Sequence, residues 1–133
     1  MPRSLPIEWV AAECAGALGD RFHFAAQAGA ESLAEIDSGI AFVFHNSGTP
    51  RIALQRLVAL VGAEDPDGQL TFTLFPFAKS AGLLSRPEFA ATYREYGLVL
   101  WVRSGQVVSF TPVVGVADEV WLENTRGLLA TGA

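Results

Sequence analysis

A chain of 133 residues has room for one ordinary domain, and at 50% hydrophobic it can fill a core without disulfides or metal. Its nine basic residues (eight Arg and Lys79) are scattered among 14 acidic ones, giving a net charge of −5, which argues against binding to nucleic acid or to an anionic membrane. Charged residues make up only 17%, below the usual ~25%, so either the core is generous or apolar surface is left over for a partner.

Cys14 is the single cysteine, which rules out an internal disulfide and suits a reducing compartment. The opening MPRSLPIEWV lacks the apolar stretch of a signal peptide, and no run approaches the ~18 apolar residues of a spanning helix. A cytoplasmic location is expected.

In chain order, Ile7, Val10, Ala11, Cys14 and Leu18 recur at helical spacing over 7–18, with Gly19 as the stop. That places Cys14 on the buried stripe as a core thiol. The alternation in RFHFAAQ (21–27) predicts a half-buried strand with Phe22 and Phe24 on one face. A short helix over 31–37 carries Leu33 and Ile36, and the strand IAFVFH (40–45) is apolar on both faces. Leu54, Leu57, Val58 and Val61 trace the stripe of a helix over 50–61, and GAEDPDGQ (62–69) is read as a solvated acidic turn. The strand LTFTLFPF (70–77) follows, with Pro76 marking an edge or an end. Ser85 and Glu88 form a capping box, with Leu84 and Phe89 as a staple, for a helix over 86–96.

Residues 98–112, LVLWVRSGQVVSFTP, read as a hairpin turning at Ser104-Gly105, with Trp101 opposite Val108. In that register Leu98, Leu100, Val102 and Val107 share one face, and Val99, Trp101, Val108 and Phe110 the other. Both faces are apolar, so helices must cover both, or a second subunit covers one. A last helix is expected from about Asp118, with Val120, Trp121, Leu128 and Leu129 as its apolar set.

The elements thus run α-β-(α)-β-α-β-α-β-β-α within one domain, 1–133. The closing hairpin predicts an α+β fold on a largely antiparallel sheet of about five strands. This order of elements resembles the roadblock and longin-like group, a resemblance of order without a shared residue motif. It implies a five-stranded sheet that carries helices and often dimerises.

Candidate chemistry centres on HNSGTPR (45–51), between a strand and a helix. Asn46, Ser47 and Gly48 are turn residues, and Thr49-Pro50 is an ordinary helix start. Arg51 is the exception, because a cation in the first turn opposes the helix dipole unless an anion sits at the helix start. His45, Asn46, Ser47, Gly48, Thr49 and Arg51 are therefore the candidate anion-binding residues. The Walker and G-x-G-x-x-G patterns are absent, as is G-x-S-x-G. His23 and His45 would lie close if their strands paired, but no third ligand accompanies them, so no metal or cofactor is expected.

Two functions follow as expectations. The first is a non-enzymatic protein-interaction or assembly module, self-associating through an apolar sheet or helix face, with Val99, Trp101, Val108 and Phe110 as the interface. The alternative is a small enzyme or ligand-binding protein that holds a phosphate- or carboxylate-bearing molecule at 45–51.

Overall fold

The computed structural model describes residues 7–25, 30–45 and 47–131. Its elements are α1 (Ile7–Leu18), β1 (Phe22–Phe24), β2 (Ser38–Phe44), α2 (Gly48–Glu64), β3 (Thr71–Pro76), α3 (Ala81–Leu84), β4 (Leu98–Arg103), β5 (Gln106–Pro112) and α4 (Asp118–Thr131). Short 3₁₀ turns at Gly19–Arg21, Ala30–Glu35, Phe77–Lys79 and Pro87–Phe89 complete the chain.

The five strands form one sheet in the order β1-β3-β2-β4-β5. The α+β class and the number of strands are as expected, but the sheet is mixed, not largely antiparallel. β3 runs parallel to both β1 and β2, while β4 is antiparallel to β2 and to β5. The hairpin accounts for the antiparallel half. The parallel half arises because α2 returns the chain to start β3 alongside β2, as a helical crossover must.

Side chains alternate across this sheet, so each central strand feeds two cores. Ile40, Phe42 and Phe44 of β2 join Phe72 and Leu74 of β3 and Val99 and Trp101 of β4 beneath α1, α2 and α4. Ala41, Val43, Phe75, Leu98, Leu100 and Val102 face the opposite way, against Leu33, Ile36, Leu83, Leu84 and Phe89. Burial on both faces explains why β2 and β4 read as continuous apolar runs. It also answers the question raised by the hairpin: the chain's own helices cover both faces.

The helix expected over 86–96 is not formed. Pro87 disfavours helical geometry in the preceding residue, and Arg86 is extended (φ −63°, ψ 141°). The Ser85 hydroxyl donates to the Ala81 carbonyl at 2.7 Å, and Glu88 pairs with Arg86, so neither partner of the capping box is available. The Pro87–Phe89 turn still buries Phe89.

In the hairpin, Ser104 and Gly105 turn the chain as expected, both with positive φ (49° and 77°). The register differs beyond that turn. Val102 pairs with Val107 but Trp101 pairs with Ser109, so Val108 is the extra residue of a β-bulge. A shift of one residue turns every later side chain to the other face. Phe110 accordingly sits opposite Leu100 and meets Phe89 edge to face at 4.8 Å.

The acidic turn after α2 is also more than a solvated loop. Asp65 is 1% exposed, and its carboxylate accepts the amides of Gln69 and Leu70, each at 2.9 Å, and the Arg21 guanidinium at 3.1 Å. One buried carboxylate therefore closes the turn into β3 and ties it to the start of β1.

Candidate functional site

The loop 45–51 lies where the topology favours a site. β2 and β3 are parallel neighbours, yet the chain leaves β2 toward α2 on one face and β3 toward α3 on the other. Ligands of open sheets bind at such a switch point, beyond the carboxyl ends of the strands. His45 follows β2 and Phe77 follows β3, and their rings meet edge to face with centroids 5.0 Å apart. Tyr96 also meets His45 edge to face, at 5.5 Å, and Tyr93, 48% exposed, lies 6.1 Å from Tyr96. Gly97 makes this approach possible. Its φ is +103°, and a Cβ there would strike the Val43 carbonyl. Sequence patterning missed Phe77, Tyr93, Tyr96 and Gly97 as site residues, because Phe77 reaches His45 only through the crossover that brings β3 beside β2, and the segment 93–97 only through the antiparallel pairing of β4 with β2.

The helix itself starts two residues earlier than expected, at Gly48, with Ser47 and not Thr49 as its N-cap. The Ser47 hydroxyl makes no capping bond; it shares a 2.9 Å hydrogen bond with His45 Nδ1. Gly48 and Thr49 are exposed at the helix start, while Pro50 is buried. Asn46 lies outside the described residues. Arg51 turns away from the loop and pairs with Glu13 of α1 at 2.6 Å, and Gln55 donates to the same carboxylate at 3.2 Å. These two hydrogen bonds hold the Glu13 carboxyl below its ordinary range. Arg51 thus has a partner within the chain, which offsets its unfavourable place in the first turn. His23 and His45 are not neighbours in the sheet, because β3 lies between their strands. Among the described residues no three His, Cys, Asp or Glu side chains gather as metal ligands would.

The four expected interface residues separate. Val99 and Trp101 are fully buried under α4, so they are core residues and offer a partner no surface. Trp101 Nε1 donates to Thr125 at 3.1 Å, and Thr125 donates on to the Trp121 carbonyl at 2.8 Å. Trp121 Nε1 in turn donates to Thr111 of β5 at 3.0 Å, so α4 is bonded to both strands of the hairpin. Phe110 is half-buried on the opposite face, and Val108 alone is well exposed, at 56%.

The exposed apolar surface lies elsewhere, on α1 and α2. Trp9 is 64% exposed and Ile52 67%, the highest values among the large apolar side chains. Between the two helices runs a groove of about 290 Å³, floored by Val10, Cys14, Leu54 and Val58 and edged by Ala17 and Ala59. On α1, Trp9 falls on the groove side of the buried stripe, whereas Ile52 stands on the face of α2 opposite its buried stripe. Trp9 is one turn before Glu13, and Ile52 follows Arg51, whose guanidinium pairs with the Glu13 carboxylate. Burial, reinforced by the Glu13 charge, pushes the Cys14 thiol up to about 11, so the floor of the groove is uncharged.

No helix among the described residues is long and apolar enough to cross a membrane. Set against known proteins, the sequence matches no family model and no curated protein.

Proposed function

We propose that this is a non-enzymatic protein-interaction module that docks through the paired helices α1 and α2. The observation carrying this reading is the exposure of Trp9 and Ile52 on the two helices that flank a mainly apolar groove, in a molecule whose two sheet faces are covered by its own helices. A large exposed aromatic next to an apolar concavity is the usual anchor of a protein contact. The face replaces the hairpin as the site of self-association. The net charge of −5, without a basic cluster, favours a protein partner over nucleic acid, and the single buried thiol is compatible with the cytoplasm. Sedimentation velocity on the protein and on Trp9→Glu/Ile52→Glu tests the reading. Loss of the native assembly in the double variant, with its circular dichroism unchanged, is expected; an assembly that survives would refute it.

A second reading rests on the His45–Ser47 hydrogen bond at the switch point. In it the protein is a small enzyme or ligand-binding protein that holds a phosphate or carboxylate on the exposed amides of Gly48 and Thr49, with His45 as acid or base. Arg51 would first have to leave Glu13. A native mass spectrum showing a small-molecule adduct that His45→Ala removes would favour this reading over the first.

A further inference from the structure

We propose that a cavity over β1 and β3 holds a small hydroxylated amine, with its ammonium group on Glu35 and Asp37 and its hydroxyls on Thr71 and Thr73. The site lies on the sheet face away from α1 and α2, and toward the opposite end of β2 from His45. It depends on neither reading above.

The cavity measures about 500 Å³, within the range of small-molecule sites. Strand register builds its floor. Phe72 and Leu74 of β3 enter the core beneath the long helices, so Thr71, Thr73 and Phe75 point the other way, and His23 of β1 stands beside Thr73. Glu35 and Asp37, at the entry to β2, line the same cavity. Gly39 pairs with Thr71 in the ladder, and its lack of a side chain leaves room for the Thr71 hydroxyl, which a Cβ would strike.

Thr73 is the side chain that the fold does not explain. Along β2 and β4 the same face is built from Ala41, Val43, Leu98, Leu100 and Val102. Thr73 is only 8% exposed, yet among the described residues its hydroxyl has no hydrogen-bond partner, and it lines the cavity. Valine has nearly the same shape and suits a strand as well. A hydroxyl kept at a cavity floor without a protein partner can both donate to and accept from a molecule in the cavity.

The charge of the cavity selects a cation. Neither Glu35 nor Asp37 has an ion-pair partner among the described residues, and no described Lys or Arg lines the space. With His23 they do not gather as ligands of a metal ion would. An ammonium group on an organic molecule meets the two carboxylates through charge-assisted hydrogen bonds. Ile36 and Phe75 offer its carbon skeleton an apolar surface.

The test titrates the full chain with three sugars of one skeleton and different charge: glucosamine, glucose and glucuronate. Each is added up to tens of millimolar while amide chemical shifts are followed by NMR. Glucosamine is expected to move the amides of His23, Asp37, Thr71 and Thr73, glucose to move them more weakly, and glucuronate to leave them in place. Glu35→Gln/Asp37→Asn, at two exposed positions, should weaken glucosamine by about tenfold or more and leave glucose unchanged. Thr73→Val should weaken both by about two- to tenfold, while Tm stays the same or rises.

A cavity that responds to none of the three sugars, or to all three equally, overturns the proposal. Glucuronate binding more tightly than glucosamine, or glucosamine unaffected by the double variant, overturns the choice of a cation. A clear fall in Tm in Thr73→Val gives that hydroxyl a structural role and overturns its assignment to a ligand.

Discussion

Replacing Asp65 with Asn tests whether one buried carboxylate holds the turn between α2 and β3. The substitution preserves shape but removes the charge and one acceptor oxygen. In the native protein that carboxylate accepts from Gln69 N, Leu70 N and Arg21 at 2.9, 2.9 and 3.1 Å. An amide can keep one of the two backbone bonds; losing the other, a bond to a charged acceptor, costs about 1.5–3 kcal/mol. Arg21 also loses its counter-charge. Removing one partner of a fully buried pair costs ~3–5 kcal/mol, but the Arg21 side chain is 15% exposed and water relieves part of that. The expected total is about 3 kcal/mol, or a fall in Tm of roughly 9–15 °C for a domain of this size. Urea unfolding followed by circular dichroism measures it, with Asp67→Asn as the control. Asp67 lies two residues away in the same turn but is exposed, and its loss should stay within ~0.5 kcal/mol. Equal effects of the two substitutions, or a cost below about 1 kcal/mol at Asp65, would refute the reasoning.

Ser47→Ala should cost less than the ~1 kcal/mol typical of a lost N-cap, because its hydroxyl bonds His45 and not a helix amide; chemical denaturation measures this. Gly97→Ala is expected to destabilise by several kcal/mol or to prevent folding, since a positive φ and a collision with the Val43 carbonyl act together, as a thermal melt would show. Trp101→Ala should cost ~3–5 kcal/mol while Val108→Lys stays within ~0.5 kcal/mol in the same melts, the contrast that burial under α4 requires. Cys14 should resist iodoacetamide at pH 8 in the folded protein and react once it is unfolded. Between about pH 9 and 11 the unfolded chain releases the thiol proton and the folded chain keeps it, so stability should decline across that window.

Periodicity located α1 over 7–18 and placed the start of α4 at about Asp118, where Trp121 and Leu128 are buried as expected but Val120 is exposed. It also found the Ser104-Gly105 turn, whose backbone chemistry is local. What it missed was decided at a distance or by competition. The capping box at Ser85 and Glu88 was overruled by Pro87 and by the bond to Ala81. The bulge at Val108 cannot be read from alternation, since inserting one residue leaves either face equally apolar in this stretch. Arg51 is informative as an oddity in the sequence, but its partner Glu13 is on another helix, and no local pattern connects them. Asp65 looked like any acid in an Asp-Pro-Asp-Gly turn; its pairing depends on Arg21, which the neighbouring edge strand β1 brings from 44 residues earlier in the chain.

The edge strand β1 has a kinetic consequence. It is three residues long and is bonded only to β3, through the pairs from Phe22–Phe72 to Phe24–Leu74. The hairpin β4–β5 closes over a two-residue turn, whereas β1 must wait until α2 has carried the chain across and β3 is in place. The N-terminal edge, with α1 attached to it, should therefore be the last part of the molecule to consolidate and the first to open. In hydrogen exchange, α1 and β1 would form one unit of low opening free energy beside a slow hairpin. Because α1 supplies Trp9, any partner seated on the α1–α2 face would clamp that unit shut, and its occupancy would be readable as slower exchange at Phe22–Phe24, residues outside that face.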